Sequence, residues 1–410
     1  MEIRSITLFD HPGFPPDRDQ LEKARTFQNL AQEEISRAGY TVQTTRYASP
    51  PFPLLLPDLD PKTALSYAQE LDEILEKAGF DYLSLGPAVP EIPGSYPLVP
   101  EIIQGTQRVF VSGIMAAPGG PVVLPAVRYC GEIISQLSTV DDKGFANLYF
   151  AALANVPPGA PFFPAAYHEL QSPPGFALAV EGADLAVEAF STAEVPDQAR
   201  EGLIRALEEH GRTLSSAAGR IEEQTGVKFS GIDYSLAPFP EEKRSLGAAL
   251  EKLGVLLGHR GSLAAAAFLA DTIDRADFPR TGFSGLMLPV LEDASLARRA
   301  AEGELTVRDL LLYAAVCGTG LDTLPLPGDL SSEQLNALLL DLAALAARLD
   351  KPLTARLMPI PGKKVGDPTE FDFPYFANSR VMGVQSRPLQ GALRSGMDLD
   401  LQPRPGRQAR

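Results

Sequence analysis

The amino-acid sequence predicts an α/β protein with a largely parallel sheet. Ten segments have the alternation or the β-branched and aromatic content of strands, namely 2–9, 41–47, 81–86, 107–114, 147–155, 175–181, 227–236, 283–290, 321–327 and 352–360. Segments with a helical period separate most of them. This alternation favours parallel pairing, because parallel neighbours need a crossover connection. Ten strands exceed the common eight-stranded α/β barrel and suit either a ten-stranded barrel or a wide open sheet.

The predicted helices have matching signals at their ends. They include 18–38, 64–78, 122–137, 198–224, 246–257, 295–303, 307–316 and 332–349. Gly39 and Gly79 follow the first two helices, where a left-handed backbone is favoured. Asp197 and Ser331 stand where a side chain can cap a helix N-terminus. We expect one main domain over residues 1–385 and a disordered tail over 386–410, which contains Arg404, Arg407 and Arg410.

Composition excludes several classes of protein. Of 410 residues, 45% are hydrophobic and 21% are charged, as in ordinary globular proteins. The formal charge of −16 excludes nonspecific binding to nucleic acid or to an anionic membrane, which needs a concentrated positive surface. No apolar stretch approaches the ~20 residues of a membrane helix. The first residues lack the pattern of a secretion signal, so we expect a cytoplasmic protein.

The two cysteines, Cys130 and Cys317, lie far apart. A disulfide framework and a cysteine zinc site are therefore excluded. Cys317 lies in a Cys-Gly-Thr-Gly turn and has two interpretations. It could act as a nucleophile or relay thiol. The favoured alternative is a buried small apolar residue at a helix end, which is the commoner role of a single intracellular cysteine.

Five strings carry a resemblance to a known family. They are Ala-Asn-Val-Pro-Pro-Gly-Ala-Pro-Phe-Phe-Pro-Ala-Ala-Tyr-His at 154–168, Ile-Asp-Tyr-Ser-Leu-Ala-Pro at 232–238, Ser-Gly-Leu-Met-Leu-Pro-Val-Leu-Glu-Asp at 284–293, Val-Cys-Gly-Thr-Gly-Leu-Asp at 316–322 and Pro-Ile-Pro-Gly-Lys-Lys-Val-Gly-Asp at 359–367. Over residues 1–385 the chain resembles the uncharacterised bacterial and archaeal domain-of-unknown-function family 711. That family is grouped with pyruvate formate-lyase and anaerobic ribonucleotide reductase. The resemblance therefore implies a ten-stranded α/β barrel of the pyruvate formate-lyase-like fold, and no particular reaction.

The sequence favours chemistry without a glycyl radical. Glycyl radical enzymes need a C-terminal glycine whose Cα–H can be abstracted and a thiol that relays the radical. Residues 379–384, Ser-Arg-Val-Met-Gly-Val, are similar to the Arg-Val-x-Gly-Tyr signature, but Val384 stands in place of the aromatic residue. We therefore expect Gly383 to be a turn residue that leads into the tail.

Three residues are candidates for catalysis. His168 ends the Pro-rich loop after strand 147–155, where it could serve as a general base or metal ligand, or could instead hydrogen-bond within the loop. Asp233 and Asp322 lie within predicted strands. A carboxylate there is costly unless it is paired, so both indicate a pocket.

A divalent cation is an open alternative. Asp10, Asp233, Glu292, Asp293 and Asp322 lie at or near strand ends, and if they converged they could bind Mg²⁺ or Ca²⁺ through oxygen atoms. Aspartate is also a preferred N-cap, and Asp293 precedes the helix at 295 as a natural cap. The sequence does not decide between the two uses.

Two pairs of residues are candidates for substrate binding. Asn147 and Asn155 lie an even number of residues apart and would share one face of a regular strand. Lys363 and Lys364 follow Gly362 after the last strand, where they could receive a phosphate or carboxylate.

The predicted function is that of an enzyme acting on a small polar or anionic metabolite, by acid–base or metal-assisted chemistry. We expect Asn155, His168, Asp233, Asp322 and Lys363 to line one cavity. One alternative is a metabolite-binding regulatory protein that keeps the barrel without catalysis. Another is a scaffold that acts by forming a homo-oligomer.

Overall fold

The computed structural model describes residues 1–316 and 318–403. Its strands are β1 (Glu2–Phe9), β2 (Thr45–Ala48), β3 (Tyr82–Ala88), β4 (Val109–Ala116), β5 (Phe150–Ala154), β6 (Gly175–Glu181), β7 (Lys228–Asp233), β8 (Gly320–Pro327) and β9 (Leu353–Ile360). They form one nine-stranded sheet in the order β7-β6-β1-β2-β3-β4-β5-β9-β8. The α/β class is confirmed.

Helices connect the strands. They are α1 (Arg18–Arg37), α2 (Pro61–Lys77), α3 (Val99–Gln104), α4 (Leu124–Ser138), α5 (Ala183–Ser191), α6 (Pro196–Thr225), α7 (Leu246–Lys252), α8 (Ser262–Arg275), α9 (Ala294–Glu302), α10 (Val307–Ala314) and α11 (Ser332–Leu349). Short 3₁₀ turns cover Phe52–Leu54, Pro93–Leu98, Phe145–Tyr149, Glu242–Arg244 and Gly391–Arg394. None of the helices in the described part of the chain is both long and apolar enough to cross a membrane.

Strand direction divides the sheet into three blocks. Strands β1 to β5 are parallel, with Ile6 opposite Thr45 at one junction. The pairs β6–β7 and β8–β9 are also parallel, but each joins the central block through an antiparallel junction, β6 with β1 and β9 with β5. The expectation of a largely parallel sheet is confirmed. The two outer pairs run against the central five strands.

The prediction of a regular strand at 283–290 is wrong. Isolated bridges join Arg280 to β7 and Pro289 to β8, so the segment between them passes from one sheet edge to the other. Its backbone cannot hold a continuous ladder, because Gly282 and Ser284 both have positive φ (+61° and +39°) and Pro289 has no N–H to donate. The sheet of the described residues therefore has nine strands instead of ten and is not closed into a barrel.

The predicted helix ends are largely correct. Gly39 and Gly79 adopt positive φ (+92° and +90°) after the first two helices. The Ser331 side chain accepts from the backbone N–H of Gln334 in a capping box. The prediction for Asp197 is wrong. Pro196 occupies the first helical position, where no N–H is needed, and Asp197 lies within the first turn.

The two faces of the central strands have different coverings. In β1, Ile6 and Leu8 belong to the main apolar core with the helices. Thr7 points to the other face, where its hydroxyl donates to the Pro161 carbonyl (3.1 Å). Ser84 of β3 likewise donates to the Ala166 carbonyl (2.7 Å). The distinctive 154–168 segment therefore covers the face opposite to the helices, which we call the inner face.

Residues 386–403, assigned to the tail from sequence, contact the helices. The Ser386 hydroxyl donates to the Gln334 carbonyl (2.6 Å) in α11. Leu399 pairs antiparallel with Val122, with backbone N–O distances of 2.8 and 3.0 Å. Arg404, Arg407 and Arg410 lie outside the described residues.

Candidate functional site

A cavity with about 800 Å³ of empty space, part of it open to solvent, lies on the inner face, near the amino ends of β1 to β5. Its charged lining residues come from four strands and one loop, and are Arg4, Arg46, Arg356, Glu292 and Asp322. Four of these five, all but Arg4, are buried. Because burial of charge is costly unless the charges are paired, the pairing of these groups decides what the cavity can bind.

Arg356 joins the two carboxylates of the cavity. Its Nε donates to Asp322 Oδ1 (2.6 Å) and its Nη2 donates to Glu292 Oε1 (2.6 Å). The other oxygen of Glu292 accepts from Arg4 Nη2 (2.8 Å), and Arg4 also reaches Glu181 (3.1 Å). Charge-assisted bonds of this length are strong and directional. Arg4, Arg356 and both cavity carboxylates are thus engaged with one another.

Asp322 has the environment of an acid–base group. Burial raises the pKa of its carboxyl, the Arg356 guanidinium opposes that rise, and the negative charge of Glu292 adds to it. A carboxyl whose pKa is raised holds a proton closer to neutral pH than an exposed aspartate does. Its position in the cavity wall places that proton within reach of a bound molecule.

Arg46 is a buried cation that forms no ion pair within the described part of the chain. Its Nε donates to Thr44 Oγ1 (2.9 Å), and it forms no ion pair with any of the described residues. Its guanidinium carbon lies 5.1 Å from the ring centre of Phe163 and 5.9 Å from that of Tyr82. Burial first, and the nearby Arg4 second, lower the pKa of Arg46 to about 9. Arg46 therefore stays protonated at neutral pH and lines the cavity as a cation.

Aromatic side chains form the rest of the wall, namely Tyr82, Phe110, Tyr149, Phe162, Phe163, Phe373 and Tyr375. Phe110 lies at their centre, with ring centroids 5.4 Å from Tyr82, 4.8 Å from Tyr149 and 5.4 Å from Phe163. The Arg4 guanidinium carbon lies 5.2 Å from the Tyr375 ring centre. Edge-to-face and tilted contacts of this kind fix ring positions. The cavity is thus a charged floor within a rigid aromatic wall.

Of the five residues expected to line one cavity, the structure places Asp322 there. Asp233 is buried elsewhere, and its carboxylate accepts from the Ser235 hydroxyl (2.6 Å) and from the backbone N–H groups of Phe283 (2.7 Å) and Ser284 (2.8 Å). Burial raises the pKa of Asp233 to about 6. These bonds hold the irregular 283–290 segment against β7.

His168 has a partner within its own loop, and Asn155 has partners in two other loops. The His168 Nε2 lies 3.1 Å from the Ser172 carbonyl oxygen, and burial lowers the pKa of the ring. Asn155, with φ +57°, accepts from the Gly119 backbone N–H (3.0 Å) and donates to Asp350 (3.3 Å). Neither residue lines the aromatic cavity, because both lie at the carboxyl ends of the central strands. Their catalytic and binding roles stay predictions.

The other predicted binding residues also lie outside the cavity lining. Asn147 is buried and donates to the Ile134 carbonyl (3.1 Å). Lys363 pairs with Glu370 (3.0 Å), and Lys364 is exposed. Gly383 is exposed in a groove beside α10 and α11. Cys317 lies outside the described residues.

The prediction from sequence missed the three arginines. Arg46 and Arg356 interrupt otherwise apolar or β-rich strand segments, Thr-Arg-Tyr-Ala and Leu-Thr-Ala-Arg-Leu-Met. The prediction of Asp322 rests on the same signal, a charged residue inside a buried strand. When the signal is extended from carboxylates to cations, it also predicts both arginines. Among residues 1–316 and 318–403, no group of three or more His, Cys, Asp or Glu side chains is placed to hold a metal ion.

Known proteins resemble this chain over most of its length. The model of a family described as uncharacterised ACR (DUF711) matches residues 1–378. A UPF0210 protein of Pyrobaculum arsenaticum is 32% identical over 397 residues, covering 90% of this chain and 87% of that protein. A UPF0210 protein of Methanopyrus kandleri is 30% identical over 407 residues, covering 90% and 88%. Among solved structures, an anaerobic ribonucleotide reductase aligns with a TM-score of 0.37 and 8% identity, covering 87% of this chain and 70% of that one.

Proposed function

The chain belongs to the uncharacterised DUF711 family, and we propose that it is an enzyme that binds a small anionic metabolite in the aromatic cavity. The observation that carries the proposal is Arg46, a buried guanidinium that lines the cavity and has no ion-pair partner among the described residues. An anion in the cavity supplies that partner. A guanidinium also matches a carboxylate or phosphate in a two-point contact.

Acid–base chemistry is the reaction type that the cavity supports best. Asp322 is the proton-holding group, because burial raises the pKa of its carboxyl. Arg356 orients that carboxyl through Oδ1, and Glu292 in turn orients Arg356. The oxygens of Glu292 are both engaged by arginines, which favours proton transfer over cation binding at this pair. The exposed position of Gly383 supports a mechanism without a glycyl radical.

The enclosure of the cavity supports a barrel-like arrangement of the chain. Segment 280–289 passes between the edge strands β7 and β8 and bridges to each of them. In this proposal it fills the opening that a tenth strand would occupy, which shields the cavity from water on that side. The net charge of −16 supports a small-molecule ligand in the cytoplasm over nucleic acid or a membrane surface.

Binding is tested by thermal shift of the full chain against a library of carboxylate and phosphate metabolites. A ligand that binds the folded state raises its melting temperature. We expect hits with the wild type that vanish in Arg46→Met. The matched control is Arg108→Met, since Arg108 is partly buried but is already paired with Asp72 (2.9 Å) outside the cavity. Hits that survive Arg46→Met, or that vanish equally in Arg108→Met, contradict the proposal.

Catalysis is tested on the hits by following their conversion with mass spectrometry. We expect wild-type protein to convert at least one Arg46-dependent ligand, and Asp322→Asn to bind that ligand while losing conversion. Mutation of one acid–base group costs typically 10²–10⁴-fold in rate. If ligands bind through Arg46 but none is converted, the chain is instead a metabolite-binding regulatory protein.

A further inference from the structure

Resting on the proposed function, we infer that the ligand is an aromatic monocarboxylate with a hydroxyl or carbonyl oxygen at the end opposite to its carboxylate. Arg46 takes the carboxylate, the rings around Phe110 enclose the body, and the Tyr149 hydroxyl binds the far oxygen. Three features of the cavity carry this inference, namely a cation that is unpaired among the described residues, the aromatic wall and a phenol three strands away from that cation.

The ion pairs of the cavity favour a ligand with a single negative charge. Three guanidiniums and two carboxylates line the cavity. Arg356 and Arg4 are bound to Glu292, and Arg356 also to Asp322, which leaves Arg46 as the cation without a partner among the described residues. A monocarboxylate neutralises it. A phosphate monoester carries a charge of about −1.5 to −2 at neutral pH, and its surplus charge would meet the Glu292 carboxylate.

The aromatic wall of the cavity favours a ligand with a flat ring. Phe163 is shared between the two parts of the site, because it lies 5.1 Å from the Arg46 guanidinium carbon and 5.4 Å from the Phe110 ring. A carboxylate on Arg46 therefore places the attached group directly against aromatic rings. Aromatic pairs gain affinity beyond the burial of apolar area alone. A ring fits this wall better than a puckered aliphatic body of the same size.

Tyr149 provides the contact at the far end. It precedes β5, whereas Arg46 lies on β2, so three strand spacings of about 4.8 Å separate the two backbones. The hydroxyls of the three tyrosines that line the cavity, Tyr82, Tyr149 and Tyr375, form no hydrogen bond with a described residue. Tyr82 lies beside Arg46 and Tyr375 beside Arg4, which leaves Tyr149 as the phenol on the far side. A buried or half-buried phenol normally finds a hydrogen-bond partner, and a ligand oxygen provides it.

The experiment measures dissociation constants by NMR titration of the full chain with simple probes. We expect benzoate to bind about three- to tenfold more tightly than cyclohexanecarboxylate, which has the same charge. Acetate and the dianion phenyl phosphate should bind at least tenfold more weakly than benzoate. 4-Hydroxybenzoate should bind more tightly than benzoate, by roughly five- to tenfold for one added hydrogen bond.

Matched variants assign each part of the ligand to a side chain. Tyr149→Phe should remove the advantage of 4-hydroxybenzoate over benzoate and leave benzoate unchanged. Phe110→Leu should reduce the preference for benzoate over cyclohexanecarboxylate. Arg46→Lys, which keeps the charge but loses the planar fork, should weaken all carboxylates about tenfold and Arg46→Met should weaken them further.

The outcomes separate this inference from the proposed function. If acetate, cyclohexanecarboxylate and phenyl phosphate bind as tightly as benzoate and depend on Arg46, the cavity is a general anion site and the aromatic inference is wrong. A 4-hydroxybenzoate advantage that persists in Tyr149→Phe overturns the role of Tyr149. Binding of every probe that is unchanged in Arg46→Met overturns the proposed function itself.

Discussion

The polar side chains at the two ends of strands β1 to β5 differ in whether they have partners within the chain. At the carboxyl end, Asp10 accepts from Gln20 Nε2 (2.9 Å) and from the His11 backbone N–H (2.8 Å), and His168 contacts the Ser172 carbonyl (3.1 Å). At the amino end, Arg46 forms no ion pair with a described residue. The polar groups at the first end are thus bonded within the chain, whereas one buried cation at the second end has no ion-pair partner in the part of the chain that the structure describes.

The antiparallel junctions explain why the site lies at the amino end. In open parallel sheets, ligands bind outside the carboxyl ends of strands. Here β9 runs against β5, with Ala355 opposite Ala152, so Arg356 lies towards the amino end of β5. Strand β8 is parallel to β9, so Asp322 on β8 also lies towards the amino end of β5. Opposite strand directions therefore bring charged residues of the outer pairs to the amino ends of the central block.

The largest effect is expected for Arg356→Met. The change leaves Glu292 and Asp322 buried close to each other without the cation that joins them. Removal of one partner from a buried ionic network destabilises a protein by about 3–5 kcal/mol. We expect a loss of that size in the free energy of unfolding, measured with urea at pH 7.

The loss should shrink in acid, because burial and the charge of Glu292 raise the pKa of Asp322, and protonation of Asp322 removes its repulsion with Glu292. Repeating the measurement at pH 5 tests this expectation. A loss below about 1 kcal/mol at pH 7, or one that does not depend on pH, would show that the cavity charges are not coupled as their geometry indicates.

The second prediction is an increase in the free energy of unfolding. Arg46→Met removes a buried charge that forms no ion pair with a described carboxylate. We expect the unliganded protein to become more stable by about 1–2 kcal/mol, since functional groups are often retained at a cost in stability. Urea unfolding of the wild type and the variant at pH 7 measures this difference.

The matched control is Arg108→Met, which breaks a satisfied pair and should destabilise the protein. If Arg46→Met also destabilises the chain, Arg46 has a structural role at the amino end. The contrast between the two ends of the strands would then disappear.

Much of the fold could be predicted because its signals are local. Gly39 and Gly79 mark helix ends by their conformational freedom, and alternation marks the nine strands. Segment 283–290 has the composition of a strand, but its pairing depends on Asp233, which accepts from the Phe283 and Ser284 backbone N–H groups. The Asp233 side chain, fifty positions away in sequence, thus takes the place of strand-to-strand backbone hydrogen bonds. Strand propensity does not reveal such a contact.

The site could be predicted only in part, because it depends on which groups remain unpaired. Asp322 was identified as a charge inside a strand, and Arg46 has the same signal. Whether each charge has a partner is a property of the sheet order, which places Arg356 between Asp322 and Glu292. His168 has a conspicuous sequence context, but its loop supplies Phe162 and Phe163 to the cavity instead.

The smallest effect is expected at the carboxyl end, for His168→Gln. Burial lowers the pKa of His168, so the folded state keeps the ring neutral while the unfolded state protonates near pH 6.5. The stabilising contribution is therefore present above that pH and is lost as the pH falls through it. Glutamine does not titrate and retains an N–H for the Ser172 carbonyl. We expect the fall in unfolding free energy from pH 7.5 to 5.5 to be smaller in the variant by up to about 1 kcal/mol, with Arg46-dependent ligand affinity unchanged. A variant that keeps the wild-type pH slope but loses that affinity would instead place His168 in the binding machinery and give the carboxyl end a share of the site.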